Sequence, residues 1–193
     1  MIVKENERVA IIGKTGSGKS HLMRKFCQQF NRVIFVDPKH ENTDLPYTMQ
    51  THAPHEIFQE MQKPAFFILY QPIHWDEDEF DRLCAELFKF NNFRFFLDET
   101  HLKVVPWHRN LIRMGRSKKI GIWHIIQRPT FIDNYVLSES EHFFIFQLQL
   151  KSDKDKIAGV VGEEVIPAIE DLDQYEFVYY SPKEGMKVFG PIR

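Results

Sequence analysis

The chain has 193 residues, 43% of them apolar, 14% aromatic and 27% charged, and its 25 basic side chains nearly balance 27 acidic ones for a formal net charge of -2. That composition excludes a disordered, collagen-like or membrane-embedded chain, and the length suits one domain with its own core. The charge balance excludes a polycation, so any surface for nucleic acid must be local.

Residues 9–12 form an apolar run that ends at Gly13. A glycine-rich turn follows, then Leu22, Met23, Phe26, Cys27 and Phe30 at helical period, which reads strand, loop, helix. Residues 33–36 are a second β-rich run stopped by Asp37-Pro38, because proline lacks an amide donor and biases its predecessor away from helix. Residues 66–70 are a third. Four acids at 76–79 precede Phe80, Leu83, Cys84, Leu87 and Phe88, which share one helix face, and the helix dipole favours acids at its start. Residues 93–97 predict a strand, 107–114 a helix, and 120–126 and 143–148 two further strands. In the tail, 163–172 reads as a short helix interrupted by Pro167, and 176–181 with 186–189 as a terminal hairpin. The alternation predicts an α/β fold with a mostly parallel sheet, helices on both faces and ligand sites at the carboxyl ends of the strands. With no repeat or linker, residues 1–193 read as a single domain, its core at 8–150 and a helix and hairpin at 151–193.

Cys27 and Cys84 are too few for a disulfide framework and read as buried thiols. The N-terminus carries acids and no apolar signal core, and the longest apolar run, residues 65–70, is far too short to span a bilayer. A reducing, cytoplasmic setting is expected.

Gly13, Lys14, Thr15, Gly16, Ser17, Gly18, Lys19 and Ser20 fit G-x-x-x-x-G-K-[ST] and lie between a strand and a helix, where that pattern must lie. The glycines let backbone amides cradle phosphates, Lys19 reaches the β- and γ-phosphates, and the Ser20 hydroxyl ligates Mg²⁺. His21, next in line, is included among the nucleotide-binding residues. The strand at 93–97 ends in Asp98-Glu99, the pattern of a Walker B strand. Asp98 would hold Mg²⁺, and Glu99 would orient and deprotonate the water that attacks the γ-phosphate. A kinase, whose nucleophile is a substrate hydroxyl, does not need that glutamate, so the paired acids favour an ATPase. Gln127, ending the strand at 120–126, can hydrogen-bond both γ-phosphate and lytic water as a sensor.

Between residues 101 and 130 stand seven cations, Lys103, Arg109, Arg113, Arg116, Lys118, Lys119 and Arg128, without one acid. They suggest a positive patch for nucleic-acid or nucleotide phosphates, with a solvated helix face as the alternative. Arg113 and Arg116 have no place in a phosphate site already filled by Lys19, and make better sense as an arginine finger presented to a neighbouring subunit. Leu150-Lys151-Ser152-Asp153 partly mimics the guanine-reading N-K-x-D signature, but Leu150 replaces its essential Asn or Thr. The nine histidines show no zinc spacing.

The phosphate loop, Val36-Asp37-Pro38-Lys39, the Leu97-Asp98-Glu99 strand end and the segment from Met114-Gly115-Arg116 to Gln127-Arg128-Pro129 resemble the FtsK/HerA superfamily of DNA-translocating ATPases, in order and spacing over residues 8–150. The resemblance implies a RecA-like sheet of the additional-strand, catalytic-glutamate class, a hexamer, ATP and Mg²⁺ as cofactors, and pumping of double-stranded DNA. It implies that Lys19 and Ser20 bind nucleotide and Mg²⁺, that Asp98 and Glu99 are the Walker B pair, that Gln127 is the sensor, and that Arg116 is the trans finger with Arg113 second. Cellular members carry membrane spans, a barrel or a winged helix that this sequence lacks, which narrows the resemblance to genome-packaging ATPases of membrane-containing icosahedral double-stranded DNA viruses. Expected partners are then a capsid vertex or virion membrane proteins, and the expected location is the host cytoplasm or the packaging vertex. Where the family's Asp-Pro-Lys continues into Gly, this chain has His40. A small P-loop kinase and a nucleotide-switched assembly protein stand as alternative functions.

Overall fold

Along β1 (Arg8–Ile12), successive side chains point to opposite faces, Val9 and Ile11 to one apolar layer and Ala10 and Ile12 to the other. All five residues are buried, as expected of a strand covered on both faces. The structure is a computed structural model and describes residues 3–98 and 104–192. After β1 come α1 (Lys19–Cys27), β2 (Arg32–Val36), β3 (Met49–Thr51), α2 (Pro54–Glu60), β4 (Phe66–Tyr70), α3 (Glu77–Leu87) and β5 (Phe93–Leu97). The second half runs α4 (Pro106–Met114), a 3₁₀ turn Gly115–Lys118, β6 (Ile120–Ile126), a second 3₁₀ turn Pro129–Phe131, α5 (Asn134–Ser138), β7 (His142–Phe146), α6 (Lys151–Val161), α7 (Val165–Glu170) and the hairpin β8 (Phe177–Ser181) and β9 (Gly185–Phe189).

Among the described residues the strands form one sheet in the order β3-β4-β2-β5-β6-β1-β7-β8-β9. Pairing is parallel from β3 to β7 and antiparallel from β7 through the hairpin. One face packs on apolar residues of α2 to α7, including Ile57, Leu83, Leu111, Val136, Ile157 and Val165. Among the described residues, the other face has α1, with Leu22, Met23 and Cys27, as its one helix. Large rings fill what helices leave open there. Phe96 stacks between Phe35 and Trp123, with centroids 6.0 and 5.1 Å away, and Phe26 of α1 tilts onto Trp123 at 4.7 Å. Much of the chain's phenylalanine content serves this face.

Asp76 caps α3 by accepting from the Glu79 amide at 2.7 Å, so the acidic run starts the helix as its charge predicts. The tail corrects one expectation. Pro167 stands third in α7, inside the first turn where no amide donor is needed, and does not interrupt the helix. Sequence periodicity also missed β3, α2, α5 and α6. No helix among the described residues is long and apolar enough to cross a membrane.

Candidate nucleotide site

The phosphate loop leaves the carboxyl end of β1 held on both sides: the Gly13 amide donates to Ile126 O of β6 at 3.1 Å and the Lys14 amide to Gln147 O, just past β7, at 3.0 Å. Gly18 caps α1 at φ 106, a left-handed conformation open to glycine, and so turns the first amides of α1 into the loop. A side chain at Gly13 would put its Cβ 2.6 Å from Cβ of Phe146, so close packing alone requires glycine there. Lys19 is buried, and its Nζ donates to Lys14 O at 2.8 Å. Burial lowers its pKa to about 8, with the Lys39 charge acting the same way and Asp98 opposing both. A buried ammonium that donates to a backbone carbonyl is electrostatically poised for an anion.

Asp98 follows β5, and its amide donates to Val36 O of β2 at 3.0 Å. Its carboxyl is pushed above the usual range by burial and by the charges of Asp37 and Glu41, against a hydrogen bond from Asn42 and the charge of Lys19. Asn42 Nδ2 donates to Asp98 Oδ2 at 2.7 Å, and the Asn42 amide donates to Asp37 Oδ2 at 2.9 Å. Gln71 Nε2 donates to the same Asp37 oxygen at 2.8 Å, while Asp37 Oδ1 is buried without a hydrogen-bond partner. Asp37 thereby braces the loop that holds Asp98. His40 in that loop takes the left-handed φ of 59, which explains why a glycine suits this position, and its Nε2 lies 3.0 Å from Pro72 O.

Strand order brings the predicted residues together. β6 lies between β1 and β5, so Gln127 leaves the sheet between the phosphate loop and Asp98. Gln127 and Arg128 line a polar cavity of about 310 Å³ with Lys14, Thr15, Leu148 and Asp153. Arg128 Nε donates to the buried Asp153 carboxylate at 2.8 Å, which also accepts from the amide and hydroxyl of Thr130 at 3.0 and 2.8 Å. The Leu150–Asp153 segment is therefore the start of α6, and its aspartate braces the turn after Gln127. Ser20 and His21 are exposed in the first turn of α1. Glu99 lies outside the described residues.

The cation-rich segment is not one patch. β6 has seven residues and spans roughly 20 Å at about 3.3 Å per residue, so Arg116, Lys118 and Lys119 just before it and Arg128 just after it sit at opposite ends of the sheet. Three of them pair with acids from distant segments: Arg109 with Asp133, Arg116 with Glu141 and Arg128 with Asp153. Arg113 and Arg116 lie at the end remote from the phosphate loop, beside a cavity of about 360 Å³ lined by Arg8, Ser138, Glu139 and Glu141. Buried Arg8 donates through Nε to Ile112 O at 2.7 Å, and its own amide donates to Glu141 Oε2 at 3.2 Å.

Residues 5–71 match the family described as helicase HerA, central domain. That stretch, about a third of the chain, carries the phosphate loop and Asp37. It is 27% identical over 191 residues to the DNA packaging ATPase P9 of Enterobacteria phage PRD1, a match covering 91% of this chain and 82% of that protein. The genome packaging NTPase B204 of Sulfolobus turreted icosahedral virus 2, solved with AMPPCP, is similar in fold, with a TM-score of 0.80 at 18% identity over 98% of this chain and 100% of that one. VirB4 of Thermoanaerobacter pseudethanolicus is similar in fold with a TM-score of 0.69 at 12% identity, over 100% of this chain and 92% of that one.

Sequence reasoning missed Asn42, Gln71, Glu141 and Asp153. Each acts on a partner at least 25 residues away, and Asp153 alone stands out in the sequence, as the end of a guanine-signature mimic and not as a brace.

Proposed function

We propose that the chain works as a viral genome-packaging motor, hydrolysing ATP at interfaces between its own copies in a ring and driving double-stranded DNA. The observation that carries this reading is the convergence of Lys19, Asp98 and Gln127 at one end of β1, β6 and β5, in a chain similar over 91% of its length to a DNA packaging ATPase. Lys19 and the first amides of α1 grip the phosphates, with Gly13 to Ser20 and His21 around them. Ser20 and Asp98 would hold Mg²⁺, which when bound supplies positive charge to the phosphate oxygens. The donors fit: a cation there would relieve the crowding of Asp98 with Asp37 and Glu41, and Mg²⁺ needs few protein oxygens beside phosphate ones. Glu99 takes the proton of the attacking water and Gln127 orients that water.

Arg116, with Arg113 second, reaches the nucleotide of the adjoining copy; their position at the far end of β6 favours action in trans. The additional strand β6 between β1 and β5 speaks against the kinase reading. A hexamer, contacts to DNA phosphates without sequence reading, and docking at a capsid vertex or to virion membrane proteins complete the proposal.

The test is the ATPase rate with and without long duplex DNA, read beside molar mass in solution. Stimulation that declines as salt rises, together with a ring-sized mass, is the expected result. Glu99→Gln should bind ATP without turning it over. A monomer indifferent to DNA, or full turnover in Glu99→Gln, would overturn the reading.

A further inference from the structure

Four connections lead into the amino-terminal ends of β2, β4, β5 and β6, residues 28–31, 61–65, 88–92 and 115–119, and none of them holds an Asp or Glu. These strands are neighbours in the order β4-β2-β5-β6 and run parallel, so the connections lie side by side at the end of the sheet remote from the phosphate loop. With Arg32, the first residue of β2, they bring Lys63, Lys89, Lys118 and Lys119 to one rim. Adjacent strands are about 4.8 Å apart, so the rim is roughly 15 Å long.

Hydrogen bonds between the connections hold the rim together. Arg32 lies over the Phe66 ring, 4.5 Å from its centroid, and donates through Nε to Asn92 O at 2.8 Å and through Nη1 to Lys63 O at 2.6 Å. The Asn92 amide donates to Lys118 O at 2.8 Å, and Lys118 Nζ donates to Asn91 Oδ1 at 3.2 Å. The backbone is thus fixed while the ammonium groups reach water: the Lys63 and Lys89 side chains are 61% and 65% exposed. Those two lysines follow α2 and α3, where a helix dipole favours cations, and they pair with Glu60 and Glu86. Among the described residues Arg32, Lys118 and Lys119 form no ion pair, so the rim keeps a positive excess in a chain whose net charge is -2.

We propose that this rim grips the phosphate backbone of duplex DNA. The inference rests on the reading of the chain as a DNA motor and adds the surface by which it would hold its substrate. Over about 15 Å of its axis a duplex carries about nine phosphate charges, an ample partner for five cations in a row. Lysine ammonium groups meet phosphates as point charges, so the rim holds DNA without reading its bases. The carboxyl ends of β2 and β5 gather Asp37, Glu41 and Asp98 instead, a poor surface for a polyanion. Arg116, at the same end as the rim, turns the other way, pairing with Glu141 at the start of β7 beyond β1.

The experiment is titration of a fluorescently labelled duplex with the full chain over a series of salt concentrations. Lys63→Gln, Lys89→Gln and Lys119→Gln combined should weaken binding on the order of a hundredfold at low salt and lower the slope of log affinity against log salt by about one per lysine, alike for duplexes of different sequence. ATP turnover without DNA and molar mass should stay those of the wild type. Lys151→Gln combined with Lys187→Gln, exposed cations of α6 and β9, should leave the slope as it was. An unchanged slope in the triple variant, or an equal fall per lysine in the control pair, would overturn the proposal while leaving the motor reading intact. A triple variant that loses its assembled mass together with DNA binding would assign the rim to contact between copies and overturn it too. A wild-type chain that binds no duplex would instead overturn the motor reading and the proposal with it.

Discussion

Asn42 Nδ2 donates to Asp98 Oδ2 across 2.7 Å, joining the loop after β2 to the acid at the end of β5. Because Asn42 also donates its amide to Asp37, the acid is oriented by a network and does not depend on strand geometry alone. We expect Asn42→Ala to reduce steady-state turnover by about tenfold and to raise the Mg²⁺ concentration needed for half-maximal rate, with ATP affinity little changed. Identical Mg²⁺ titrations for variant and wild type would remove Asn42 from the site.

Lys19 supplies a pH dependence. Its pKa of about 8 in the free chain means that the ammonium is neutral above that pH, and bound phosphates favour the charged form. ATP affinity should therefore fall by about tenfold between pH 7 and pH 9, with proton uptake on binding at the upper end. Calorimetry in buffers of different ionisation enthalpy measures both. In Lys19→Ala the affinity should be lower by on the order of a hundredfold and should lose this pH dependence.

The Arg116 guanidinium pairs with Glu141, whose other oxygen accepts from the Arg8 amide. If Arg116 completes a neighbour's site, Arg116→Ala should stop hydrolysis without weakening ATP binding by the isolated subunit. Mixing it with Lys19→Ala subunits should restore part of the turnover. Glu141→Gln, which loosens the guanidinium without removing it, should keep measurable turnover. No rescue in the mixture, at subunit ratios that populate mixed rings, would show that Arg116 does not act across an interface.

His108 of α4 and His124 of β6 are buried with their Nε2 atoms 3.1 Å apart and neither Nδ1 partnered. Burial lowers the His108 pKa to about 3, against the pull of Asp133, and drives that of His124 well below its ordinary value, aided by the neighbouring imidazole. In the unfolded chain both protonate near pH 6.5, so folding stability is lost as pH falls from about 6.5 toward 3. The slope is up to about 1.4 kcal/mol per pH unit for each group. Thermal melting at pH 7.5 and 5.0 should show this loss, and it should shrink in His108→Phe. An unchanged difference would assign the acid sensitivity elsewhere.

Local chemistry was legible in the sequence and long-range pairing was not. The eight residues from Gly13 to Ser20 make one contiguous turn, and an apolar strand ending in Asp98 announces itself by composition. Asn42 and Gln71 gain their roles only when β2, β4 and β5 lie side by side. β3 has three residues, too few for a period, and the charged first half of α6 hides its apolar stripe of Ile157, Ala158 and Val161. The cation count between 101 and 130 misled because it ignores direction: β6 carries the chain from one end of the sheet to the other before Arg128. His40 shows the converse: where the resembling family has glycine, this chain puts a histidine in a left-handed conformation of the kind glycine adopts most easily.

β6 is hydrogen-bonded to β1 on one side and β5 on the other along its length. It is therefore an inextensible rod, with the Arg116 turn as one tip and Gln127 as the other. In the proposed ring, with Gln127 as sensor and Arg116 acting in trans, every rod would bridge two successive ATP molecules, sensing one and completing the catalytic group set of the other. Phosphate loss at one station would then shift the rod as a unit, and the order of firing around the ring would be carried by the stiffest piece of the fold.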